Sequence, residues 1–144
     1  MISRMSYRPA DVALAVKRLQ YRHHRGLNRA LAPLGLSLVQ WDTLRHLHRQ
    51  PDASLHDLAV LTFQTDQSFG SLAARMADRG LIERVPGPGR AVKHRLTEKG
   101  ERLRAAGQDA VDAVFESSFQ NLSAAQLDQI GELLDAALGP DPTA

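Results

Sequence analysis

Apolar positions along the chain fall into a series of amphipathic helices separated by caps and turns. From Ala10 to Leu31, Val12, Val16, Leu19, Leu27 and Leu31 recur at helical steps or multiples of them, which predicts a helix with one buried face. Pro33 and Gly35 stop it. Ser37 followed by Gln40 is a capping-box pattern, and Trp41, Leu44 and Leu47 make the core stripe of a second helix that ends before Pro51. Ser54 caps a short third helix, with Asp57 favourably placed in its first turn and Leu55, Leu58, Ala59 and Leu61 on its apolar face. Thr65 or Asp66 opens a fourth that buries Phe69, Leu72, Ala73 and Met76 and is stopped by Gly80.

Two amphipathic helices across so short a turn, the second with a free polar stripe, form a helix-turn-helix pattern. Two extended runs follow, Leu81 to Val85 and Ala91 to Leu96, joined by Pro86-Gly87-Pro88-Gly89-Arg90, which predicts a β-hairpin. Thr97 caps a long helix with Leu103, Ala106, Ala110, Val114 and Phe115 inward. Ser123 with Gln126 caps a last one carrying Leu127, Ile130, Leu133, Leu134 and Leu138. The tail from Gly139 is expected to be loose. The outer helices carry more apolar stripe than one small protomer can cover, which predicts a homodimer. The fold class expected is mainly α with a small β-hairpin wing: a winged helix-turn-helix core plus N- and C-terminal dimerisation helices. All of it is expected in a single domain over 1–144, with the winged helix lobe at about 37–97 and the dimerisation helices at about 10–33 and 98–138.

Composition narrows the classes. With 144 residues the chain is long enough for one real core without staples, and its lack of cysteine excludes disulfides, thiolate zinc sites and cysteine-based peroxide sensing. Met1 to Pro9 carries Arg4 and Arg8 but no apolar run of signal-peptide length, and no segment approaches membrane-spanning length, so a soluble cytoplasmic protein with no membrane partner is expected. The net charge of +2 hides an asymmetry: basic residues end at Arg104, and only acids follow. Lys17, Arg18, Arg22, Arg25 and Arg29 face only Asp11 in the first helix region, so the two ends can attract across a dimer or simply be solvated faces.

The candidate chemistry lies on the fourth helix. Gln67, Ser68, Ser71 and Arg75, with Gln64 and Thr65 just before them, form one polar edge that the core does not use. Glutamine pairs bidentately with adenine, arginine with guanine, and serine or threonine with bases or phosphates, so the edge suits a major groove. The bland alternative is an ordinary solvated face. A basic hairpin with Arg84, Arg90, Lys93 and Arg95 follows at once, and phosphate neutralisation by such a hairpin completes the footprint of a protein that binds double-stranded DNA. Gly70 inside this helix costs about 1 kcal/mol relative to alanine, a cost that close backbone approach would explain.

Six histidines raise the question of metal, but His46 and His48 point different ways on a helix. No histidine is expected four residues from another or from an acid on the same helix, and no cofactor or metal is expected. No nucleophile motif, phosphate loop or acidic pair occurs in a recognisable setting, so an enzyme is not expected.

Arg79-Gly80-Leu81-Ile82-Glu83-Arg84, then Arg90-Ala91, then Leu96-Thr97-Glu98-Lys99-Gly100 resembles the wing signature of the MarR (multiple antibiotic resistance regulator) family. Leu36 to Leu44 resembles that family's second-helix opening and Leu55 to Ala59 its third helix, so the resemblance covers nearly the whole chain. It implies a dimer built from the first, fifth and sixth helices. Recognition helices would enter successive major grooves of a pseudo-palindromic operator, with wings toward the minor groove. The family's wing commonly carries an Asp two residues before the tip arginine. Pro88 stands there, in a shortened loop, so Arg90 is expected to meet phosphate rather than enter the minor groove.

The resemblance further implies a small aromatic or phenolic effector in a cleft between the dimer helices and the DNA-binding lobe. Tyr21, His24, Trp41, Arg45 and Phe115 are the candidates for it, unless Trp41 and Phe115 are simply core. The function expected is a homodimeric, sequence-specific transcription regulator, a repressor by family habit, released by its ligand. The alternative is a winged-helix protein-interaction module without specific DNA binding.

Overall fold

The computed structural model describes residues 6–86, 89 and 92–140. Helix α1 (Pro9–Leu31) runs through a short 3-10 turn into α2 (Leu38–Arg49), followed by α3 (Leu55–Leu61) and α4 (Asp66–Asp78). The hairpin β1 (Ile82–Val85) and β2 (Lys93–Leu96) comes next, then α5 (Glu98–Ser118) and α6 (Ala124–Leu138). Local signals account for most of these boundaries. Ser37 and Gln40 close a reciprocal box on α2 (Gln40 N to Ser37 Oγ 3.3 Å, Ser37 N to Gln40 Oε1 3.0 Å). Ser54 with Asp57 and Ser123 with Gln126 repeat the device on α3 and α6. Thr65 and Thr97 cap α4 and α5 by accepting from Ser68 N and Gly100 N. Gly80, at φ +74°, supplies the left-handed residue after α4.

The core sits where α2, α3, α4 and the hairpin meet the middle of α5 and the end of α1. Leu31, Leu44, Leu58, Phe69, Met76, Leu81 and Ile82 are fully enclosed there. Two glycines of α5 make its close approaches possible. A Cβ on Gly100 would lie 2.0 Å from the Leu81 carbonyl oxygen, and one on Gly107 would lie 2.3 Å from the Trp41 ring. Trp41 on α2 thus presses its indole edge against α5, its N–H donating to the Arg104 carbonyl at 3.1 Å. Ala106, expected inward, is exposed. It lies about 100° around the helix from Gly107, and the buried line of α5 runs through Gly100, Gly107 and Val111 instead.

The hairpin pairs Ile82 with Leu96, Glu83 with Arg95, Arg84 with His94 and Val85 with Lys93. The turn-side end of its ladder is stitched to the start of α3: Leu55 N donates to Val92 O at 3.0 Å, and Ser54 forms a β-bridge with Lys93. On the far side, Thr97 Oγ1 donates to the Gly80 carbonyl.

The outer helices leave apolar surface uncovered. Val12, Leu14 and Val16 on α1 are about half exposed, and α6 buries no residue, with Leu133 69% and Leu138 78% exposed. Among the described residues, no helix is long and apolar enough to cross a membrane and no three His, Asp or Glu side chains gather as metal ligands would. One histidine expectation fails: Asp42 and His46 do stand four apart on α2, with Nε2 to Oδ2 at 3.5 Å.

Candidate nucleic-acid interface and adjoining cavity

Helix α4 divides its residues cleanly. Phe69, Leu72, Ala73 and Met76 are buried, whereas Gln67, Ser68, Ser71 and Arg75 are exposed, with Thr65 exposed at the cap and Gln64 half-buried before it. Gln67, Ser71 and Arg75 follow one another at four-residue steps, so they share a face. Ser68 Oγ donates to Gln64 Oε1 at 3.1 Å and Ser71 Oγ to the Gln67 carbonyl at 3.3 Å, so both hydroxyl oxygens remain free to accept. Arg75 takes part in no ion pair among the described residues. At the helix start, the Asp66 carboxylate holds His56 Nδ1 at 2.8 Å and raises that imidazole above its ordinary range. Nothing within 4 Å would meet a Cβ on Gly70, so packing inside the protomer does not explain that glycine.

The hairpin register separates the wing cations. Arg84 shares a face with Ile82, His94 and Leu96, whereas Lys93 and Arg95 point the other way with Glu83 and Val85. Arg95 is paired across the strands with Glu83, which neutralises much of its charge. Lys93 is exposed and unpaired among the described residues. Arg90 and Pro88 lie outside the described residues. His94 was not singled out from the sequence, although its alternation with Arg95 places it on the inner face. It is buried with no partner for Nδ1, and burial, reinforced by the Arg84 charge, holds it below the usual imidazole range.

Behind α4 a cavity of about 700 Å³ opens between α1, α2, α5 and the turn joining α3 to α4. Four of the five expected ligand residues line it: His24, Trp41, Arg45 and Phe115. Tyr21 does not. It is turned about 120° from the inward Leu27 on α1, is exposed, and lies under the Arg25 guanidinium at 5.8 Å. Gln20 lines the cavity in its stead. Trp41 is both wall and core, being 4% exposed. Arg45 donates to Asp42 at 2.8 Å and lies 5.9 Å from the Trp41 ring. Burial holds His46, behind Asp42, below the usual imidazole range despite the carboxylate. Sequence pattern missed Asp112, Gln108 and Phe63, which also line the space. Gln64, expected only at DNA, lines it too.

A helix-turn-helix backed by a hairpin, with a polar edge outward, defines a winged helix DNA-binding regulator. Known proteins agree. The family model described as MarR family matches residues 34–91. The HTH-type transcriptional repressor Rv2887 of Mycobacterium tuberculosis is 30% identical over 114 residues, covering 78% of this chain and 81% of the relative. A mutant E. coli MarR complexed with operator DNA superposes with a TM-score of 0.80 at 20% identity, over 89% of this chain and 94% of that one. Rv2887 complexed with salicylic acid gives 0.73 at 25% identity, over 94% and 98%. The chain belongs to the MarR family.

Proposed function

We propose that the chain is a homodimeric transcriptional repressor that reads a pseudo-palindromic duplex with α4 and is released when a small aromatic effector enters the cavity behind it. The observation that carries this reading is the outward edge of α4, where Gln67, Ser68, Ser71 and Arg75 are exposed and Arg75 takes part in no ion pair among the described residues. Lys93 on the wing supplies phosphate neutralisation beside it. The uncovered apolar faces of α1 and α6 support self-association, with about 37–97 as the DNA-binding lobe and about 10–33 and 98–138 as the dimerising helices. A relative solved with operator DNA and another solved with salicylic acid support the two ligand classes.

Selection on random duplexes tests the reading, with a two-fold protein expected to enrich half-sites about 34 Å apart. Arg75→Ala and Gln67→Ala should each cost about 1–3 kcal/mol on the selected operator and relax base preference symmetrically, with melting nearly unchanged. Equal losses on a scrambled duplex at matched salt would assign these side chains to phosphate. No loss on either duplex would turn the reading toward a winged fold that binds protein.

A further inference from the structure

Helix α3 ends in an unusual way. Phe63 N donates to Val60 O at 3.1 Å and Gln64 N to Ala59 O at 2.8 Å, the paired bonds of a Schellman end. The left-handed position in that motif is ordinarily glycine, because a side chain there crowds the backbone. Here it is Phe63, at φ +58°, the one non-glycine residue with positive φ among the described residues. It is also 95% exposed, the most exposed large hydrophobic residue among the described residues. Strain and an uncovered aromatic thus coincide at one position. The residue nevertheless lines the edge of the cavity that Trp41 and Phe115 wall.

We propose that Phe63 is the lid of that cavity, stacking on an uncharged, flat aromatic effector held against Trp41 and Phe115. The inference rests on the effector role proposed above. Aromatic faces pair best with other aromatic faces, offset or edge-on, which selects a flat ring over a saturated one. Charge selects as well. The lining's arginine, Arg45, is already held by Asp42 at 2.8 Å, while among the described residues the Asp112 carboxylate receives only Gln108, at 2.9 Å. An acid would therefore meet the Asp112 carboxylate and, among the described lining residues, no arginine or lysine free of an acidic partner. Closure is felt at the DNA edge because Gln64, next in the chain, both lines the cavity and accepts the Ser68 hydroxyl of α4 at 3.1 Å.

The test uses 2-naphthol as the flat probe, its fully saturated analogue, and 2-naphthoate as the charged one. Calorimetry gives affinities, and the single tryptophan, Trp41, provides a fluorescence readout at the site. The wild type should bind 2-naphthol about tenfold or more tightly than either comparison compound, and Phe63→Ala should lose about that factor while Phe63→Tyr keeps it. Phe63→Gly should melt at or above the wild type, since glycine suits the helix end, which keeps a loss of binding from being a loss of fold. With saturating 2-naphthol, operator affinity should fall in the wild type and fall less in Phe63→Ala. Unchanged 2-naphthol binding in Phe63→Ala overturns the lid, and preferred binding of 2-naphthoate overturns the uncharged class. Weaker operator binding without ligand would make Phe63 a DNA contact, and dissociation to monomers would make it a subunit contact. If the wild type binds none of the probes, the effector role itself fails, an outcome distinct from a lid that does nothing.

Discussion

Two glycines in helices make opposite predictions for the same substitution. Gly107→Ala places a methyl 2.3 Å from Trp41 Cδ1, 2.5 Å from Nε1 and 3.2 Å from Leu31 Cδ2. Neither neighbour can retreat easily, because Trp41 and Leu31 are almost wholly buried. Overpacking of this kind costs about 1–3 kcal/mol. Pushing the indole aside also strains its bond to the Arg104 carbonyl, worth about 1 kcal/mol net. Against this, alanine in a helix interior returns about 1 kcal/mol relative to glycine. The balance is a loss of about 1–3 kcal/mol, or roughly 3–10 °C in melting temperature for a domain of this size. Gly70→Ala carries the same propensity gain with nothing within 4 Å to oppose it, so it should stabilise by about 1 kcal/mol. Thermal melting of both variants beside the wild type, with Trp41 emission as a local probe, measures the pair. A Gly107→Ala protein as stable as the wild type would refute the close-approach argument, as would a destabilised Gly70→Ala.

On the wing, Lys93→Ala and Arg90→Ala should weaken binding to all duplexes alike and make the salt dependence shallower by about one unit of slope each. Arg95→Ala should do less, because Glu83 already takes up its charge. Unchanged slopes for Lys93 and Arg90 would remove the wing from the interface. Burial, with the Arg84 charge beside it, puts the folded value of His94 below its unfolded one. Stability from this site is therefore complete above the ordinary imidazole range and is lost as pH falls through it. His23 and His46 act in the same direction, so His94→Leu should flatten the acid side of a denaturant-midpoint profile only in part, and an unchanged slope would contradict the assignment. Leu133→Glu with Leu134→Glu should leave a folded monomer by light scattering, and an intact dimer would show that α6 is not the seam.

Whatever is decided by neighbours in sequence was legible without coordinates. Ser37, Ser54, Thr65, Thr97 and Ser123 cap the helices expected of them, and Gly80 ends α4, because these are bonds made within a few residues. The polar edge of α4 was legible for the same reason, being the complement of its apolar stripe. Features that depend on distant partners were not. Gly107 has no hydrophobicity to register in a periodicity, yet it is where α5 meets Trp41, whereas the apolar Ala106 beside it faces water. The wing cations looked like one cluster because sequence lists them together, but pleating sorts them onto two faces and Glu83 claims one. Phe63 carried no signal at all: a phenylalanine after Leu58 and Ala59 invites burial, and only backbone geometry shows it standing in a glycine's position outside the core.

The bond from Leu55 to Val92 and the β-bridge of Ser54 with Lys93 have a mechanical consequence. They fasten the hairpin to the first turn of α3, while Thr97 ties its other end to the residue that stops α4. Helix α4 and the wing are thereby jaws of one calliper. An effector that loosens the grip on DNA has no hinge at the wing to work on. On the homodimeric, effector-released reading proposed above, release would change the distance between the two lobes of a dimer more than the span between α4 and wing within one lobe.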